Sequence, residues 1–520
     1  MKAKHLLLVT AMCSAMGAVA QNANVYASAL AAKQGADGKY EISFTLNADA
    51  TSVDLNMGGK TYALTGQFLK GQNTALVDLG DLKGENMAWS LTAKGAPNTA
   101  TVPVKVADKN TEENMDFYMA RSIKVDNDMN SPYFGRIYVT ESGNSASSRT
   151  KNGLYVFNAA FEDVTNQGTT PYEGNAGFVA SSASPQRVFV APDALYLCDW
   201  SDSHSGVWKV NPADLNADFK LVFAGERDET GLISNGGVPV AGSIVSIWVD
   251  GEGDNTVLYT FDEDYRVDGR KFPILQYNIG SLANPWGQAP SAVVFDNANG
   301  LAVNGSTEIV PDATGWWISQ YRWLENASQP ALIHYNTTTK TEDFNTATAR
   351  EDDVLVGNSM IGGLAINEEG TLLAMASNDA IKVFDLGETV DGEPLLTLKY
   401  TITHGMAKNR VWGLTFDLAG NLYGAFDQGD GLGLWALPKA DNQFTTQAPA
   451  SQAITVTGIQ TKKGDVNGDG EVDVNDVNIL INVVLGKEDG NKYDGRANVD
   501  GSGDVDVNDV NTLINIVLGK

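Results

Sequence analysis

Residues 185–200 read PQRVFVAPDALYLCDW, and residues 206–212 continue with GVWKVNP. A short apolar run breaks at a Pro-Asp turn, a second apolar run follows, and a polar loop leads into an apolar-aromatic third run. That is the pattern of three consecutive short strands. The theme recurs as SIKVDNDMNSPYFGRIYVTES with GLYVFN (122–142, 153–158) and as VSIWVDGEGDNTVLYTF with ILQYNI (245–261, 274–279). It returns as GLAVNGSTEIVPDATGWWISQ with ALIHYN (300–320, 331–336), as IGGLAINEEGTLLAMAS with AIKVFDLG (361–377, 380–387), and as VWGLTFDLAGNLYGAFD with GLGLWALP (411–427, 431–438). Six units in roughly 330 residues is about 55 per unit, slightly longer than a four-stranded blade of ~40–50, so some loops should carry insertions. One such unit cannot bury its own faces, whereas a closed ring of units covers them and leaves only short edges. The spacing predicts a six-bladed β-propeller over residues 115–445, with seven blades as the alternative count.

By pattern, this region resembles the NHL/YVTN class of propellers. The resemblance implies rim loops converging on a central channel where ligands bind. Asp199, Asp250, Asp262 and Asp427 each follow an apolar strand and could face that channel, but turn chemistry accounts for each equally well. Glycoside hydrolysis needs a pair of carboxylates at defined separation, and an Asp-rich chain does not single one out. No Ser-x-Asp-x-Gly-x-Thr-Trp box is present. His204, His334 and His404 lie in three different units without paired ligand spacing, which reads as three unrelated side chains rather than a zinc site. Trp200, Trp316 and Trp323 stand beside polar loops, where an indole face could grip a glycan or a protein.

Before the repeats, residues 21–110 give short alternating segments, with Tyr40, Ile42, Phe44 and Leu46 on one face of a strand and Val53, Leu55 and Met57 on another. Further runs at 61–64, 74–79, 87–92 and 101–106 bring the count to about seven strands, a small β-sandwich. The phrases ISFTLNADATSVDLNM and LKGQNTALVDLGDLKGENMAWSL resemble bacterial immunoglobulin-like domains. Residues 446–462 read as a linker.

At the other end, GDVNGDGEVDVNDVNILINVVLG (464–486) returns thirty-three residues later as NVDGSGDVDVNDVNTLINIVLG (498–519). With Asp465 as position 1, oxygen-bearing residues fall at 3, 5, 9 and 12 as Asn467, Asp469, Asp473 and Asp476. The carbonyl of Glu471 takes position 7, and Gly470 stands where the loop must turn. The second copy offers Asn498, Asp500, Ser502, Asp504 through its carbonyl, Asp506 and Asp509. Calcium takes six to eight oxygens at roughly 2.3–2.6 Å, which a 12-residue loop of this kind supplies. Two Ca2+ ions are expected, the second held more weakly because its loop offers three side-chain carboxylates rather than four. After each loop, apolar residues at i, i+3, i+4, i+7 and i+8 (Val477, Leu480, Ile481, Val484, Leu485; Val510, Leu513, Ile514, Val517, Leu518) predict a helix with one apolar stripe.

Thr457 to Gly464 is too short and irregular for the incoming helix of an ordinary EF-hand, and position 12 is Asp rather than Glu. The segment 463–520 therefore resembles a type I dockerin, in which paired loop-helix units fold around two calcium ions and plug into a cohesin module. Where many dockerins place a Ser/Thr pair at positions 10 and 11, this chain has Val474-Asn475 and Val507-Asn508. The fold class is thus mainly β and multidomain: β-sandwich, propeller, then a small α-helical module with EF-hand-like calcium loops.

Lys2 and Lys4 before a short apolar run ending in Ala18-Val19-Ala20 predict a signal peptide over 1–20, and with it a secreted or surface-held protein. The run is too short to span a membrane. Cleavage would leave Cys198 as the sole cysteine, so no internal disulfide is expected; it sits in an apolar strand as a small hydrophobe. A net charge of −28 without a basic cluster argues against nucleic acid. Three readings follow. The first is a non-catalytic protein whose propeller binds a glycan or protein and whose calcium module docks to a cohesin-like partner. The second is a polysaccharide-degrading glycoside hydrolase or lyase accessory delivered by the same module. In the third, the module clamps back on the chain's own domains and stabilises the C-terminus.

Overall fold

The structure, a computed structural model, describes residues 23–35, 39–80, 82–143, 149–164, 168–179, 183–270, 272–280, 289–296, 307–320, 330–346, 362–377, 380–406, 410–456, 462–493 and 495–520. The predicted signal peptide lies outside them.

Six antiparallel sheets follow one another, each beginning with a strand at the centre: Ala120–Val125, Arg187–Val190, Ile244–Asp250, Glu308–Pro311, Leu364–Ile366 and Val411–Phe416. Each central strand packs on the next, and the sixth packs on the first, closing a six-bladed propeller. The six repeated phrases supply the first three strands of the six blades. A hairpin of Ile233–Asn235 and Val238–Ala241 is one of the expected insertions.

Alternation across the pleat builds the ring. In Leu195–Asp199, Leu195 and Leu197 point into a core shared with blade one, while Tyr196 and Cys198 point into a core shared with blade three. Blades three and four, four and five, five and six, and six and one each share such a core. A strand with a core on both faces is covered along its whole length: Leu195–Asp199 and Asn421–Phe426 are buried throughout, largely apolar, with the polar Asp199 and Asn421 at their ends held by hydrogen bonds.

The chain closes the ring with a piece read from sequence as sandwich. Val104–Asp108 forms the outer strand of the sixth blade, pairing Ala107 with Leu434 and Lys105 with Trp435. The expected strand at 101–106 thus leaves the sandwich. Its apolar period of two is the same in either sheet, so the local sequence does not choose.

The sandwich draws strands from both sides of the ring. One sheet joins Ala27–Gln34, Tyr40–Leu46 and Gly71–Val77; the other orders Gln443–Gln447, Trp89–Lys94, Ser52–Met57 and Lys60–Ala63. Ile454–Val456 pairs with Gly84–Met87. Much of the expected linker 446–462 is therefore sandwich, and Ile454 and Val456 lie in its core. Asn24 fastens the sandwich to the ring: its N–H donates to Asn421 Oδ1 at 2.8 Å and its carbonyl accepts from Asn421 Nδ2 at 2.9 Å.

At the C-terminus, helices α1 (Val474–Val484) and α2 (Val507–Val517) pack on each other. Val466, Leu480, Ala497 and Leu513 form their own core. The predicted apolar stripe holds in α1 as far as Val484, but in α2 only Val510 and Leu513 are buried, Ile514 and Val517 being exposed, and the C-caps Leu485 and Leu518 are 61% and 59% exposed.

Candidate metal centre

The two acidic loops are wound by their own backbones. Asp465 accepts the N–H groups of Gly468 (2.7 Å) and Asp469 (3.1 Å) on Oδ1 and that of Gly470 (2.9 Å) on Oδ2. Gly470 at φ +87° and Gly503 at φ +101° adopt the left-handed backbone that the turn requires. Each loop then runs into a reciprocal capping box. Asp473 receives Asn475 N–H at 2.7 Å, while Asp476 returns to Asp473 N–H at 2.9 Å. In the second copy Asp506 receives Asn508 N–H at 2.7 Å, and Asp509 returns to Asp506 N–H at 2.8 Å. Asp476 and Asp509 also reach back across their loops, accepting from Asn467 N–H and Asp500 N–H at 2.9 Å each.

These side chains suit a hard cation. Asp476 and Asp509 are fully buried and Asp465 is 1% exposed, a costly place for carboxylates unless compensated by charge. In the second loop one oxygen from each of Asp500, Asp506 and Asp509 lies within 4.8 Å of the others, the only such triad among the described residues. Asn498 and Ser502 stand beside it, with Asn498 Oδ1 taking Gly501 N–H at 2.9 Å and Ser502 Oγ donating to the Asp504 carbonyl at 3.2 Å. In the first loop Asp469 receives Asn467 Nδ2 at 2.8 Å and Glu471 N–H at 2.9 Å. The side chain of Glu471 is exposed.

Residues 463–518 match the family model for the dockerin type I domain. The C-terminal module is a type I dockerin. Dockerin domains bind calcium, and the acidic cluster is compatible with that ion. The dockerin helices leave Val474 and Val507 61% and 59% exposed beside Asn475 and Asn508. No characterised protein matches the chain in sequence. Among solved structures, similar chains include a Bacteroides thetaiotaomicron protein of unknown function (10% identity, 79% of this chain and 98% of that one, TM-score 0.35). An auxiliary nutrient binding protein from the same organism (9%, 77% and 94%, 0.36) and a glucose dehydrogenase (12%, 64% and 99%, 0.41) are also similar. At these scores the likenesses carry no argument.

The other candidates separate cleanly. Trp316 is 4% exposed in the core between blades three and four, stacked with Tyr335, while its neighbour Trp317 faces the core between blades four and five. It is a packing residue, not a ligand platform. Trp200 is half-buried, and its Nε1–H donates to Glu263 at 2.9 Å. Trp323 lies outside the described residues. Asp262 accepts the N–H groups of Gly242, Asp264 and Tyr265, and Asp199 that of Ser201; burial pushes them up to about 7 and about 6. Asp250 is exposed and receives the next N–H. His334 is buried between Asp312 and Asp343. Cys198 is fully buried, its thiol pushed up to about 12 by burial.

The sequence reading missed an ion network on the propeller axis. Arg121 lies 3.6 Å from Asp427 and stacks 3.5 Å above Trp412. Arg187, 2% exposed, donates to the Arg121 carbonyl at 2.7 Å and lies 3.9 Å from Glu308, which pairs with Lys124 at 2.7 Å. A charged residue opening an inner strand, as in RSIKV, RVFV and EIVP, is the signal that could have found it.

Proposed function

We propose that this is a secreted modular protein whose dockerin, loaded with two calcium ions through the twelve loop residues identified from sequence, docks to a cohesin-type partner. The propeller is the cargo and binds a glycan or a protein. What carries the reading is the dockerin match over a duplicated loop in whose second copy Asp500, Asp506 and the buried Asp509 gather at one point. The exposed Val474, Val507, Leu485 and Leu518 support a docking role, since apolar side chains on so small a module gain by being covered. Dockerin-bearing proteins are typically extracellular. No helix among the described residues is long and apolar enough to cross a membrane.

The test is capture from the producing organism's surface and secreted proteins, with the intact chain beside the double variant Asp465→Ala, Asp509→Ala. A cohesin-bearing protein retained in calcium by the intact chain alone supports docking. Equal capture by both, or none, contradicts it.

A further inference from the structure

At the rim where the inner strands end, the propeller axis opens into a cavity of about 520 Å³. Its floor is charged: the half-buried Lys124 donates through Nζ to the buried Glu308 Oε1 at 2.7 Å, while Glu308 Oε2 accepts Leu364 N–H at 3.2 Å. Asp126, Asp128 and Asn130 line one side, and the exposed Glu368 lines another. Phe189, Val310 and Pro311 are only partly covered and form an apolar ridge. A second cavity of about 660 Å³ shares that ridge and Glu368, and continues outward to Leu386 and Glu388. The two form one groove running from the axis across blades four and five, each part within the ~300–1,000 Å³ of small-molecule sites.

The lining selects by charge. An anion would meet Asp128, Glu308 and Glu368 on a chain of net charge −28. The two cations of the lining, Lys124 and Arg187, are both engaged by Glu308, and Asp126, Asp312, Glu369 and Glu388 add to the negative side. A hydroxyl donates to a carboxylate and both donates to and accepts from an amide, so a lining of carboxylates and amides that turns anions away fits a ligand rich in hydroxyls and without negative charge. The length of the groove calls for a chain rather than a single ring, and the apolar ridge offers the flat face of a sugar ring a place to stack. We propose that this groove binds an uncharged oligosaccharide, its end in the axial cavity and a following ring against Phe189. The proposal rests on the reading of the propeller as ligand-binding cargo and supplies its site and ligand class.

Calorimetric titration of the full chain in calcium tests it, with cellohexaose, xylohexaose, mannohexaose and maltohexaose as probes and hexagalacturonate and hexalysine as charged counterparts. One uncharged hexasaccharide is expected to bind, with Phe189→Ala weakening it about tenfold. Glu368→Gln, an exposed change that leaves the fold intact, is expected to weaken it roughly threefold. Binding of hexalysine or hexagalacturonate alone, lost in Phe189→Ala, would overturn the ligand class while leaving the propeller a binding cargo. No binding by any probe would overturn the oligosaccharide site and leave a protein as the propeller's ligand, and uncharged binding indifferent to both substitutions would overturn the site.

Discussion

Asp509 has two tasks at once. Its oxygens cap α2 through Asp506 N–H and close the loop through Asp500 N–H, and one of them belongs to the acidic triad. Asp509→Ala is expected to abolish one of two calcium-binding events in titration calorimetry and to cost the helix about 1 kcal/mol of capping, leaving the first loop's event intact. These positions were legible because oxygen-bearing residues at fixed offsets have few other uses. Trp316 was not legible: a tryptophan beside a polar loop reads the same on a surface as in a core, and only the pleat decides between Trp316 and Trp317. Trp316→Ala should lower stability by roughly 3–5 kcal/mol in urea unfolding. An unfolding midpoint unchanged from the native chain would show that the indole is not packed as described.

At the scale of elements, the six phrases were readable because a strand buried on both faces between turn residues has little else to be. The outer strands were not, since partly exposed strands such as Thr341–Asn345 lack that apolar run. The closing strand Val104–Asp108 pairs with residues more than three hundred positions away, for which no local signal exists. A fragment of residues 21–110 lacks Gln443–Gln447 and Ile454–Val456 and should stay unfolded by circular dichroism, whereas residues 23–456 should melt cooperatively. A folded 21–110 fragment would contradict the shared sandwich. The apolar spacing overruns the covered face of both helices, because a helix pattern does not reveal where covering stops: Leu485 and Leu518 turn outward at the caps, and in α2 Ile514 and Val517 are exposed as well.

The molecule as a whole couples two opposite responses to pH. Burial pushes Glu141, Asp262 and Glu263 up to about 7 and Asp199 and Asp417 up to about 6. Burial alone would lower His334, but the carboxylates of Asp312 and Asp343 raise it. All these groups hold their protons more tightly folded than unfolded. Their stabilising contribution is complete below the unfolded values and is lost as pH rises through the folded ones. In chelator, the propeller should therefore melt at a lower temperature near pH ~8 than near pH ~5, followed by near-UV circular dichroism. In calcium, the dockerin should behave in reverse, because the ion needs its carboxylates ionised. A propeller more stable at the higher pH would contradict the raised values.

The central claim is that the dockerin is built around calcium. Calcium titration into the chelator-treated full chain, followed by far-UV circular dichroism and calorimetry, tests it most directly. The account predicts two bound equivalents, a gain of helix as they bind, and one equivalent with Asp465→Ala. A helical signal that is the same in chelator and in calcium, with no heat of binding, would contradict it.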